Sequence, residues 1–158
     1  MIDAHHHLWK LSRDDYGWIG DGSNAAVAPI ERDYLVEDYR ALAAANGIAG
    51  SIVVQAAQTV AETRWLLDQA RASGGLIKGV VGWMDMAAAT APDVLRDLAR
   101  DPLLRGIRPM LQEIADVEWV LQPKLAPAFQ AVVEHDLSFD LLVRPAHLKA
   151  VLALLLRH

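Results

Sequence analysis

Ser51-Ile52-Val53-Val54-Gln55 and Lys78-Gly79-Val80-Val81-Gly82-Trp83 frame the stretch that decides the fold. Both are short β-branched runs, apolar at successive positions, as strands are when helices cover both faces of their sheet. Between them Thr59 stands three residues ahead of Glu62, the spacing of a capping box. It opens a helix through Ser73 that stops at Gly74-Gly75. Strand, helix and strand in this order predict one unit of a parallel α/β sheet.

The same alternation extends in both directions. Toward the N-terminus lie an alanine-rich helix over Val36–Ala45, stopped by Asn46-Gly47, and a strand over Ile2–His7. Toward the C-terminus, Thr90 and Pro92 open a helix, and Arg105-Gly106-Ile107-Arg108 reads as a strand. A helix over Leu125–Glu134, a strand over Ser138–Val143 and a helix over His147–Arg157 complete the series. Five strand–helix units suit either a doubly wound sheet or a (β/α) barrel. The first strand lacks the glycine-rich phosphate loop of a dinucleotide-binding sheet, which weighs against the former.

Composition narrows the function classes. Apolar residues make up 53% of the 158-residue chain, enough to build a core. A net charge of −5 gives no basic footprint for nucleic acid or an anionic membrane. The absence of cysteine excludes disulfides and thiolate metal sites and fits a cytoplasmic enzyme. The N-terminus has no signal-peptide pattern, and the run Val151–Leu156, too short to span a bilayer, is expected to be the buried face of a helix.

His5-His6-His7 ends the first strand. Alternate side chains of a strand share a face, so His5 and His7 should point together and His6 away. Two imidazoles so arranged can grip one divalent ion. A tag remnant is the competing reading, but the triplet continues directly from a strand.

With these residues in place, the sequence resembles the lactonase-like branch of the amidohydrolase superfamily. The resemblance runs through Ile2–Trp9, Asp15-Tyr16-Gly17-Trp18, Val54-Gln55-Ala56, Glu62-Thr63-Arg64-Trp65-Leu66, Lys78–Trp83, Gly106-Ile107-Arg108-Pro109-Met110-Leu111-Gln112 and Phe139-Asp140-Leu141-Leu142-Val143. It implies a (β/α)₈ TIM barrel, of which about five units are present, and hydrolysis of a lactone of a sugar acid or related carboxylate. It implies that His5 and His7 bind a divalent metal, zinc first and manganese second, although some lactone-hydrolysing relatives act without a tightly held metal. It also implies a histidine after strand six and an aspartate after strand eight, which this chain does not reach; His158, at a helix end, does not replace them.

A barrel takes about 250 residues. The chain is therefore expected to be a single incomplete domain over 1–158, inactive by itself. The partners expected are a small-molecule lactone or carboxylate substrate and, as an open alternative, further copies of the chain in a homo-oligomer. A decarboxylase on the same scaffold and a non-catalytic module are the competing functions.

Further residues have two readings each. Arg108, on the fourth strand, suits a carboxylate or developing oxyanion, or else a structural ion pair with Asp140. Asp140, early in the fifth strand and away from the mouth, reads as a catalytic or a buried structural carboxylate. Gln55 at the end of the second strand, Tyr16 and Trp18 in the long loop after the first, and Arg144 after the fifth are candidate substrate contacts, against barrel filling for Gln55, a hydrophobic lid contact for Tyr16 and Trp18, and simple solvation for Arg144. Trp9 and Trp83 read as packing residues.

Overall fold

The computed structural model describes residues 1–19 and 25–156. The expected helix end at Arg157, and His158, lie outside them. Five strands form one sheet: β1 (Ile2–His6), β2 (Gly50–Val54), β3 (Ile77–Gly82), β4 (Leu104–Ile107) and β5 (Ser138–Phe139). Neighbours pair in parallel in the order β1-β2-β3-β4-β5. A doubly wound sheet would reverse its strand order at a switch point. This sheet never reverses, and it is five parallel strands of a half-barrel.

The helices α1 (Val36–Ala45), α2 (Val60–Ala72), α3 (Ala91–Leu98), α4 (Ala126–Glu134) and α5 (Leu148–Leu155) follow the strands in turn. Leu66 of α2 and Leu95 of α3 are fully buried together with Val53, Val80 and Ile107 of the sheet. Gly82 lets α2 close on β3, since a Cβ there would stand 2.3 Å from the Thr63 methyl. The Thr63 hydroxyl then accepts from the Trp83 amide at 2.8 Å, joining helix to strand exit.

Three expectations change. The capping box at α2 is only half formed: Thr59 accepts from the Glu62 amide at 2.9 Å, but the Glu62 carboxylate turns inward to Ala56 and Ala57. The fifth strand spans Ser138–Phe139 rather than Ser138–Val143. Its partner β4 ends at Ile107, and Pro109 just beyond has no N–H to extend a ladder. Past Asp140, the Leu142 carbonyl accepts from Gln112 in the loop after β4 instead. In Val151–Leu156, Val151 and Leu154 are buried while Leu152, Leu155 and Leu156 are exposed, so only one face of α5 packs. No helix among the described residues is long and apolar enough to cross a membrane.

Candidate active site at the strand exits

The C-terminal ends of parallel strands gather loops and side chains on one side of the sheet, the usual place for chemistry in a barrel. His5 and His7 meet there, with their Nε2 atoms 3.2 Å apart. His6 points to the opposite side, against the Tyr39 ring at 3.7 Å and the Ser51 hydroxyl at 3.0 Å. Burial drives the His6 pKa down to about 4, so that ring is neutral and structural.

His7 donates from Nδ1 to the Val54 carbonyl at 2.8 Å, which leaves Nε2 with its lone pair. Burial lowers the His7 pKa and so favours the neutral ring. His5 Nε2 lies 3.4 Å from Arg108 Nη1. With His7 Nε2 an acceptor, the 3.2 Å contact holds either as a hydrogen bond from the His5 Nε2–H or with a cation in place of that proton. Nitrogens each about 2.0–2.1 Å from a tetrahedral ion stand about 3.3 Å apart. The pair therefore fits a zinc-like ion, with protein ligands from two side chains. Among the described residues no group of three or more His, Cys, Asp or Glu is gathered for a metal.

The exit of β2 organises the rest. Three successive carbonyls each hold one side chain: Val54 accepts from His7, Gln55 from Arg108 Nη2, and Ala56 from Trp18 Nε1 at 2.9 Å. Gln55 returns the contact, donating from its amide to the Arg108 carbonyl at 3.0 Å. Burial depresses the Arg108 pKa, opposed by the charges of Asp140 and Glu62. A cavity of about 460 Å³ opens over this group, bounded by the histidine pair, Arg108, Trp18, Met110 and Gln112. A smaller one beside it is lined by His5, Arg108 and Asp140.

The remaining expected residues divide. Asp140 is not remote from the mouth: β5 is so short that Asp140 already stands at its exit, its amide donating to the Ile107 carbonyl at 3.0 Å. Gln55 is fully buried and braces Arg108 instead of lining either cavity. Tyr16 is also buried, packed with Trp9, Ile19, Ala56 and Ala57, so it shapes the loop and does not face a substrate. Arg144 is exposed and, among the described residues, lines neither cavity. Trp18 does line the larger one.

Sequence reasoning missed Met110 and Gln112 as wall residues and Glu62 as a buried carboxylate. Met110 and Gln112 stood inside a stretch that carried the resemblance, which was their one available signal. Glu62 matched a local capping pattern, which concealed its other partners.

A model of the family described as Amidohydrolase matches residues 2–158. The chain is 43% identical over 157 residues to the L-fucono-1,5-lactonase of Burkholderia ambifaria, across 99% of this chain and 52% of that protein. It is similar to a zinc-bound amidohydrolase from Burkholderia multivorans, with a TM-score of 0.87, 34% identity, and coverage of 99% of this chain and 54% of that one. A probable 2-pyrone-4,6-dicarboxylic acid hydrolase from Acinetobacter baumannii, with citric acid bound, shares the fold. Its TM-score is 0.77 at 15% identity, over 99% of this chain and 54% of that one. The chain spans about half the length of the curated relatives it matches.

Proposed function

The chain belongs to the amidohydrolase family, and from that premise we propose that the full-length protein opens the ring of a sugar-acid lactone with a water activated at the strand exits. The observation that carries this reading is the pair of Nε2 atoms, 3.2 Å apart, with the Arg108 guanidinium beside them. Similarity to a lactonase over nearly the whole chain supports the lactone class. Similarity to a zinc-bound relative supports zinc.

His5 and His7 would hold the ion, which when bound polarises an ester carbonyl and makes its water a nucleophile near neutral pH. The chain's own residues have separable tasks. His7 keeps its lone pair forward because Val54 takes its Nδ1 proton. Arg108 offers a cationic donor to a carbonyl oxygen as charge builds on it during ring opening. Trp18 supplies an aromatic wall on which a sugar ring stacks, with its indole N–H tied to Ala56. Asp140 lines the smaller cavity with His5 and Arg108 and balances the guanidinium charge.

The test uses the full-length protein and a series of sugar-acid lactones, with acid release followed by a pH indicator and metal measured by elemental analysis. His5→Ala and His7→Ala should each lose bound metal and at least about a thousandfold in turnover. Full activity in either variant, or release of carbon dioxide instead of a ring-opened acid, would sink the reading.

A further inference from the structure

Glu62 lines neither cavity of the candidate site, yet it is a carboxyl-bearing residue and completely buried. Its carboxylate accepts from the Ala56 amide at 3.0 and 3.2 Å and from the Ala57 amide at 3.0 Å. Burying a carboxylate costs several kcal/mol unless its lone pairs are well satisfied. The helix cap itself is already supplied by Thr59, so capping does not account for that cost.

Each of those two amides belongs to a rigid peptide plane. The Ala56 N–H shares its plane with the Gln55 carbonyl, and the Ala57 N–H shares its plane with the Ala56 carbonyl. In a trans peptide the N–H and C=O point in opposite directions. Fixing the two N–H groups on one side of the loop therefore aims the two carbonyls at the other. Those carbonyls are the acceptors of Arg108 Nη2 and Trp18 Nε1. A carboxylate on the N–H end of an amide also polarises it and strengthens its carbonyl as an acceptor.

We infer that Glu62 is a positioning residue for the site, orienting Arg108 and Trp18 through the two peptide planes at the exit of β2. It touches no reacting atom. Its influence is carried by the planarity of the Gln55–Ala56 and Ala56–Ala57 bonds. Glutamine at this position keeps one uncharged acceptor oxygen and sets an NH2 donor in place of the other, so it holds the two planes more weakly; alanine releases both.

The kinetic part of this inference rests on the lactone-opening reading, so the experiment has a part that does not. In full-length protein labelled with ¹⁵N-tryptophan, the Trp18 indole signal is assigned by its disappearance in Trp18→Phe. It should shift upfield in Glu62→Ala, as the hydrogen bond to Ala56 loosens, and by less in Glu62→Gln. In kinetics, Glu62→Ala should lower kcat/KM about ten- to a hundredfold. In an Arg108→Met background the same change should cost less than about threefold, because only the route through Trp18 remains.

An unmoved indole signal, or losses that simply multiply in the double variant, would overturn the positioning role. If Glu62→Ala fails to fold, Glu62→Gln carries both measurements. If the wild-type protein opens no lactone, the proposed activity fails while the indole shift still decides the role of Glu62.

Discussion

The exits of β2 and β5 are built from similar sequence and finish differently. At β2, each of three consecutive carbonyls secures a side chain of the candidate site. At β5, the strand stops after two residues, Leu141 is 39% exposed and Arg144 is exposed beyond it. Leu141-Leu142-Val143 is as apolar as Ile52-Val53-Val54. What separates them is their neighbours. β2 lies between β1 and β3, whereas among the described residues β5 pairs with β4 alone. A strand held on both sides delivers its exit residues with fixed direction. A strand held on one side, against a partner that ends at a proline, does not.

After the loss of either metal-site histidine, breaking the well-built exit should give the largest effect. Arg108→Met in the full-length protein removes the guanidinium held by the Gln55 carbonyl while keeping an apolar stem in its place. Turnover should fall by about ten- to a thousandfold with the thermal transition still cooperative. Unchanged kinetics, or an unfolded variant, would count against a role for Arg108 in turnover.

The same exit should show itself in a titration. Burial raises the Glu62 carboxyl from 4.5 to about 7. A carboxyl that binds its proton more tightly folded than unfolded stabilises the protein below its unfolded pKa. That contribution disappears as pH rises toward about 7. Wild-type stability should therefore fall relative to Glu62→Gln between those limits, by up to a few kcal/mol. Urea midpoints of both proteins at pH 5 and pH 8 measure it; a constant gap would mean that the carboxyl titrates alike in both states.

The smallest effect belongs to the loose exit. Arg144→Ala should change kcat/KM by less than about twofold and stability by less than about 0.5 kcal/mol, as for other exposed side chains. A loss as large as that at Arg108 would restore Arg144 to the site and erase the contrast between the two exits.

What the sequence alone determined is what depends on local period and on order along the chain. The alternation of strand and helix was readable because β-branched runs and helical spacing are short-range patterns. The shared face of His5 and His7 followed from the strand period of two, and Asn46-Gly47 marked the end of α1 where it stands. The choice between a doubly wound sheet and a barrel was not local, and the strand order made it. Tertiary structure also decided which carboxylate is buried, where β5 ends and what braces Arg108. Glu62 had a complete local explanation as a capping residue, and its inward turn depends on the loop that leaves β2. Gln55 and Arg108 are 53 residues apart, and their reciprocal contact exists only because β3 inserts between β2 and β4 and brings their ends to one face. Periodicity fixes which way a side chain points from its own backbone. What it meets there is fixed by strands from elsewhere in the chain, because hydrogen bonds and close packing act across space without regard to sequence distance.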